Sequence, residues 1–257
     1  MNKRRRIVVG NWKLYIESPE AARTFATSLR KGARSFAGVE AWLAPPFPLI
    51  AEVAAALKGS PIKVGAQTLS PVDQALGKQH TGEVPAQMLK TMGASFAIVG
   101  HSERRAQGET DEVVRTQLLQ AVSSGLVAIL CVGETERSPD GSHFAAVANQ
   151  LSRALFGAQA LGSRLMVAYE PVWAIGKSAA DAMQAADLEE MAIFIRKILS
   201  ESLGRDMVAK VPILYGGSVE PQNAKALMQE GGVSGFLVGH ASADIDSFKE
   251  ILKACKK

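Results

Sequence analysis

Short apolar runs alternate with longer amphipathic stretches along the whole chain. The short runs are nearly continuous in aliphatic residues, which is typical of buried parallel strands. They lie at residues 7–10, 40–43, 62–65, 96–99, 127–132, 164–169, 211–215 and 235–238. The longer stretches predict helices at residues 19–31, 49–57, 111–123, 142–155, 187–202 and 221–229, and in the fifth of these Leu188, Met191, Ile195 and Leu199 recur at helical spacing.

This alternation predicts an α/β protein built from eight β–α units. Helices that follow strands cover a parallel sheet, and eight strands is the number that closes a (β/α)8 TIM barrel. The length suits one domain spanning residues 1–257. An open doubly wound sheet is the alternative, but no Gly-x-Gly-x-x-Gly follows the first strand, so a dinucleotide site is disfavoured.

Composition narrows the class of protein. A hydrophobic fraction of 47% with 21% charged residues is typical of soluble globular proteins, and no apolar run is long enough to span a membrane. The cysteines Cys131 and Cys255 are too few for a disulfide framework, and no signal peptide follows the basic residues 3–6, so we expect a cytoplasmic protein. We interpret the basic cluster as a solvated terminus, since no nucleic-acid motif accompanies it.

Polar side chains follow several of the predicted strands, where barrel enzymes place their active sites. Asn11 and Lys13 alternate after the first strand, so both can face the barrel mouth while Trp12 points away and packs. His101 begins a short helix after the fourth strand, and the helix dipole there favours a neutral imidazole. Taken alone, the lysine could be solvated and the histidine structural.

Glu170 ends the sixth strand and is followed by an apolar loop that runs from Pro171 to Gly176. Apolar side chains in a loop are unfavourable in water unless the loop packs against the protein. This loop is therefore suited to be a lid that excludes water from a basic carboxylate. A strand end followed by a packed turn is the structural alternative.

Glycine-rich turns follow the last two predicted strands, at Gly216-Gly217-Ser218 and at Gly239-His240. Barrels often bind phosphate at this place through backbone N–H groups, which glycine allows to approach the anion closely. Two ordinary tight turns are the alternative.

Four segments together resemble the triosephosphate isomerase family, in the same chain order. They are Gly10-Asn-Trp-Lys13, Ile98-Val-Gly-His101-Ser-Glu-Arg-Arg105, Met166 to Lys177, and Tyr215-Gly-Gly-Ser-Val219. The resemblance covers residues 7–241. It implies a homodimeric isomerase of glycolysis and gluconeogenesis that interconverts dihydroxyacetone phosphate and D-glyceraldehyde 3-phosphate through an enediolate, with no cofactor and no metal.

The resemblance also implies a role for each site residue. Glu170 would be the base, His101 would polarise the carbonyl, Lys13 and Asn11 would stabilise the enediolate, and Glu103 would hold Lys13. The implied substrate-binding residues are Asn11, Trp12, Lys13, Gly176, Ser218, Gly239 and His240. Glu134 would have a supporting structural role. We interpret Cys131 as a small buried hydrophobic residue.

The chain departs from the family pattern in four places. The family usually has a second glycine where His240 stands, Leu14-Tyr15 differs from the usual residues, and the family's threonine and glycine between Gly176 and Lys177 are missing. The third β–α loop, residues 67–81, is longer, and in the family this loop inserts into a partner subunit. An isomerase for a slightly larger sugar phosphate, or a binding protein without turnover, therefore stays as an alternative.

Overall fold

Eight parallel strands close into a barrel in the computed structural model, which describes residues 5–72, 78–158, 161–177 and 183–256. Each strand pairs with the next along the chain, and the first pairs with the last, which confirms the predicted (β/α)8 barrel. The strands are β1 Ile7–Asn11, β2 Glu40–Ala44, β3 Lys63–Ala66, β4 Phe96–Val99, β5 Val127–Val132, β6 Leu165–Tyr169, β7 Ile213–Tyr215 and β8 Gly235–Val238.

Helices surround the barrel, and the predicted ones begin and end within two residues of their expected bounds. The helices are α1 Pro19–Lys31, α2 Ile50–Ala56, α3 Ala86–Thr91, α4 Ser102–Ala106, α5 Asp111–Ser123, α6 Ser142–Leu155, α7 Ala185–Leu203, α8 Arg205–Val208, α9 Pro221–Glu230 and α10 Ile245–Ala254. Short 3-10 helices cover Ala33–Phe36, Phe47–Leu49, Gly162–Arg164, Val172–Ala174 and His240–Ser242. The sequence explains why α1 begins at Pro19. Ser18 Oγ accepts a hydrogen bond from the Ala21 N–H at 3.1 Å, and proline is favoured at the first helical position.

Strand alternation divides the core into two parts. Ile7 and Val9 of β1 point into the barrel, whereas Val8 packs outward against the helices. Asn11 is in phase with the inward pair and lies at the carboxyl end of the strand, beside Ala44 of β2. The barrel interior therefore leads directly to the polar residues at its mouth.

Aromatic rings fill the lower part of the barrel interior. The rings of Trp42 and Phe96 lie 4.9 Å apart, and the chain has a glycine beside them, Gly65 in β3. A Cβ atom on Gly65 would lie 2.5 Å from both the ring and the carbonyl oxygen of Phe96. The close approach of β3 to β4 thus requires glycine at this position.

Two sequence predictions extend beyond the described residues. Of the basic cluster at residues 3–6, Lys3 and Arg4 lie outside them, and so does the part of the third loop at residues 73–77. Within the described ranges, no helix has the length and apolar character needed to cross a bilayer.

We expect Gly65→Ala to lower the free energy of unfolding by about 1–3 kcal/mol, because the added methyl group overlaps a backbone atom that cannot rotate away. Urea unfolding followed by circular dichroism measures this loss. Gly32→Ala is the matched control, since the nearest atom to its added Cβ is the flexible end of Lys249 at 3.2 Å. Equal stability of the two variants would contradict this account of Gly65.

Candidate active site

A cavity of about 270 Å³ lies at the carboxyl ends of the strands. It is lined by residues that follow five different strands, together with the apolar loop after β6. These residues are Asn11, Lys13, Tyr15, His101, Glu170, Ile175, Gly176, Lys177, Gly216, Gly217, Ser218, Val219, Glu220, Leu237, Gly239, His240 and Ala241. The structure therefore brings together all of the predicted site residues except Trp12 and Glu103, and Glu103 reaches the cavity through Lys13.

Glu170 is the most deeply buried carboxylate in this cavity, with 2% of its surface exposed. Its Oε2 accepts a hydrogen bond from the Ser102 N–H at 3.0 Å, and its Oε1 lies 3.2 Å from His101 Nε2. The backbone N–H of Glu170 donates to the Val132 carbonyl at 2.8 Å, which holds the residue at the end of β6. A carboxylate with so little exposed surface needs such donors, because few of its hydrogen bonds can be made to water.

His101 is held as the neutral tautomer that donates from Nε2. Its Nδ1 accepts a hydrogen bond from the Glu103 N–H at 3.2 Å, so this nitrogen carries no proton. The remaining proton is on Nε2, the atom that faces the Glu170 carboxylate. The predicted neutral imidazole therefore has a specific structural cause at the start of α4.

Two glycines and a thiol surround Glu170. A Cβ atom on Gly133 would overlap the Glu170 carbonyl, and one on Gly216 would lie 2.8 Å from Glu170 Cγ. Burial, and then the neighbouring Glu170 carboxylate, raise the pKa of the Cys131 thiol well above its usual range. Cys131 is thus a protonated neighbour of the carboxylate as well as a packing residue, a contact that the sequence pattern did not reveal.

Lys13 occupies a strained turn at the end of β1. Its φ is 44°, the one positive φ of a non-glycine residue in the described part of the chain. The Lys13 N–H donates to Asn11 Oδ1 at 3.2 Å, and Gln67 Nε2 donates to the carbonyls of both Lys13 and Ala44 at 3.0 Å. Gln67 was missed by the sequence reasoning, because its contacts join loops that are far apart in the chain.

The amine of Lys13 is placed by a carboxylate. Lys13 Nζ lies 2.5 Å from Glu103 Oε1, so Glu103 pairs with Lys13 as the resemblance implied. A Cβ atom added to Gly239 would lie 3.9 Å from the same Nζ. The ammonium group is therefore close to the glycine turn after β8.

Trp12 does not line the cavity. The prediction that it binds substrate is therefore wrong for its side chain. The indole is fully buried on the outer side of the barrel, with its ring centroid 4.9 Å from that of Phe25 in an edge-on arrangement. The reason is strand alternation: with Asn11 and Lys13 facing the mouth, the side chain between them faces the helices.

The apolar loop after β6 is anchored by a buried carboxylate. Glu134 Oε1 accepts hydrogen bonds from Trp173 Nε1 and from the Tyr169 hydroxyl, both at 2.8 Å. The Val172 N–H donates to the Glu134 carbonyl at 2.9 Å. The supporting role predicted for Glu134 is thus to hold the start of the loop. Gly176 at the far end is exposed, with φ 73°, and a Cβ atom added there would meet no described atom within 4 Å.

The glycine turns after β7 and β8 also line the cavity, with Gly216 against Glu170 and Gly239 beside Lys13. Ser218 and Gly239 form the glycine end of the cavity, and the buried Ser242 donates from Oγ to the Gly239 carbonyl at 2.7 Å and to the Asn11 carbonyl at 3.3 Å. These bonds tie the last turn to β1. The ring of His240 faces the ring of Tyr15, a residue that the sequence pattern did not assign to the site.

Comparisons with known proteins agree with this geometry. The sequence profile of the family described as "Triosephosphate isomerase" matches residues 6–255. A triosephosphate isomerase from Moorella thermoacetica is 43% identical over 252 residues, covering 97% of this chain and 98% of the relative. One from Carboxydothermus hydrogenoformans is 40% identical with the same coverage, and one from Fusobacterium nucleatum is 37% identical, covering 98% and 99%.

The matches extend over nearly the whole chain and over nearly the whole length of each relative. They include the strands, the turns and the loop that form the cavity. The chain belongs to the triosephosphate isomerase family.

Proposed function

We propose that the chain interconverts dihydroxyacetone phosphate and D-glyceraldehyde 3-phosphate, with Glu170 as the general base. The observation that carries this assignment is the pair formed by a buried carboxylate and a neutral imidazole, 3.2 Å apart at the mouth of the barrel. One group can accept a proton from carbon, and the other can donate a hydrogen bond to oxygen. No cofactor is needed for this reaction.

The proton transfer uses the two groups in sequence. Glu170 removes a proton from the carbon next to the carbonyl, and the electron pair moves onto the carbonyl oxygen to form an enediolate. His101 donates from Nε2 to that oxygen and moves the proton between the two substrate oxygens. Glu170 then returns its proton to the neighbouring carbon, so that the substrate gains and loses no atoms overall.

Lys13 and Asn11 supply the fixed charge and dipole that an enediolate needs. Both are positioned before substrate arrives, Lys13 by Glu103 and Asn11 by the Lys13 N–H. Preorganised donors of this kind lower the barrier because they do not have to reorganise during the reaction.

In this proposal, the substrate phosphate binds at the glycine end of the cavity. Lys13 Nζ supplies positive charge beside Gly239, and the backbone groups of Gly176, Ser218, Gly239 and His240 are the proposed donors. This leaves the carbon chain between the phosphate end and Glu170. Binding energy from the phosphate can then be used to align the reacting carbons.

Glu170 and the lid must both move during the cycle. The Glu170 carboxylate is bonded to the Ser102 N–H, and this bond competes with the approach of the same oxygen to the substrate. The tip of the lid at Gly176 is exposed, so covering the cavity requires it to swing inward from the anchor at Trp173.

We also propose that the chain forms a homodimer and that it is located in the cytoplasm. Leu14, in the turn that carries Lys13, is 77% exposed, and Met88 at the start of the helix after the third loop is 53% exposed. A partner subunit that covers Leu14 would support the Lys13 turn. Both cysteines are free and buried, which suits a reducing compartment.

We expect Glu170→Gln to lower kcat by about a thousandfold, in the range of a lost general base. The amide oxygen can still accept from Ser102, so the fold and the affinity for a non-reactive phosphomonoester are retained. A coupled assay with glyceraldehyde 3-phosphate measures turnover, and circular dichroism and calorimetry with glycerol 3-phosphate are the controls. Near-normal turnover in the variant would rule out Glu170 as the base.

Trp173→Phe should tighten the binding of glycerol 3-phosphate by about fivefold. The change keeps the ring but removes a hydrogen bond of about 1 kcal/mol that favours the observed lid position over an inward one. Tyr169→Phe is the matched control, because it removes the other donor to Glu134 from the strand and not from the lid. Weaker binding by Trp173→Phe would mean that the Glu134 bond is kept when the lid covers the ligand.

Sedimentation velocity should give twice the mass of one chain for the unmodified protein. We expect Leu14→Asp to shift it toward the monomer, because a charge cannot be buried unpaired in an interface. Ile193→Asp is the control, since Ile193 is a comparably exposed apolar residue, at 61%, on the outer helix α7. A monomeric unmodified protein, or equal effects of the two variants, would contradict the proposed interface.

A further inference from the structure

Two aromatic rings meet at the rim of the active-site cavity. The rings of Tyr15 and His240 are 5.2 Å apart between centroids, with an interplanar angle of 85°, which is the favoured edge-on geometry. Both residues line the cavity that also contains Lys13. Both also stand at positions where the chain departs from the family pattern, and a glycine usually occupies the position of His240.

The backbone holds both rings at the phosphate end. The Tyr15 N–H donates to the Trp12 carbonyl at 2.9 Å, which closes the same turn that carries Lys13. His240 follows Gly239 directly, and the buried Ser242 ties the Gly239 turn to the end of β1. The two turns are therefore fixed relative to each other, and the rings meet without a flexible linker between them.

The polar atoms of these two rings are available to a ligand. Within the described ranges of the chain, the ring nitrogens of His240 make no hydrogen bond to another described residue, and neither does the Tyr15 hydroxyl. An imidazole in this state presents an N–H donor to whatever enters the cavity beside it. Lys13, the cation beside Gly239, is already paired with Glu103.

We propose that the His240 side chain, oriented by the Tyr15 ring, is an additional ligand of the substrate phosphate. The family pattern places backbone groups alone at this position, whereas this chain adds a side-chain donor. This inference rests on the proposed placement of the phosphate at the Gly239 turn. The edge-on contact with the Tyr15 ring limits the movement of the imidazole, so less conformational freedom is lost when the phosphate binds.

Binding measurements with substitutions at His240 test the proposal. His240→Ala should weaken the binding of glycerol 3-phosphate and of inorganic phosphate by about tenfold, the effect of one hydrogen bond to a charged group. His240→Gln, which keeps a side-chain donor, should recover most of the affinity. With glyceraldehyde 3-phosphate, His240→Ala should raise KM while kcat stays within about threefold, because the proton-transfer groups are untouched.

Substitutions at Tyr15 separate its ring from its hydroxyl. Tyr15→Phe keeps the edge-on contact and should bind phosphate as the unmodified protein does, whereas Tyr15→Ala should weaken binding by about threefold. In the His240→Ala background, Tyr15→Ala should have no further effect, since the ring acts only through the imidazole. A loss with Tyr15→Phe equal to that of His240→Ala would assign the phosphate contact to the hydroxyl and overturn the proposal.

Equal or tighter phosphate binding by His240→Ala would also overturn it, and would show that the ring only narrows the cavity. These outcomes are distinct from a failure of the proposed function. Calorimetry with phosphate does not depend on turnover, whereas an unmodified protein that binds phosphate but does not convert glyceraldehyde 3-phosphate would contradict the proposed reaction and leave the His240 contact intact.

Discussion

The active site depends on holding a carboxylate, Glu170, in a place where only 2% of it is exposed. An ionised group in such a place is costly unless it is hydrogen-bonded, and here the Ser102 N–H and the His101 Nε2–H surround it. The surroundings are shaped by the same requirement. Gly133 and Gly216 lack the Cβ atoms that would collide with Glu170, and burial keeps the nearby thiol protonated. The described residues around Glu170 therefore leave space for its carboxylate and add no second ionised group in contact with it.

The contacts that stabilise the resting carboxylate also oppose its use. In the proposed reaction, the Glu170 oxygen that accepts from Ser102 exchanges that hydrogen bond for a contact with substrate, and the loop proposed as a lid is anchored to Glu134 through Trp173. Both contacts hold groups that the proposed reaction requires to move. Ligand binding has to replace both sets of bonds, so the phosphate, which is remote from the chemistry, can supply energy for alignment.

The sequence predicted what depends on local periodicity and failed where distant segments meet. The strands Phe96–Val99 and Val127–Val132 were predicted to the residue, because a buried strand is a local apolar run. The same alternation placed Asn11 at the mouth and should have removed Trp12 from the substrate contacts. Gln67 has no local signature, since its amide bridges the carbonyl of Lys13, after β1, and that of Ala44, at the end of β2, and only the folded barrel brings these together.

Two departures from the family pattern, Tyr15 and His240, lie together in the cavity. His101, Glu103 and Glu170, which are proposed to handle the proton and to hold Lys13, are retained, and each makes contacts that fit its proposed role. The changes at Tyr15 and His240 lie where the strained Lys13 turn meets the Gly239 turn. Proton transfer tolerates little displacement of its groups, whereas a phosphate can be held by several combinations of donors. The changes at Tyr15 and His240 thus lie where they can alter phosphate binding and spare the proposed proton transfer.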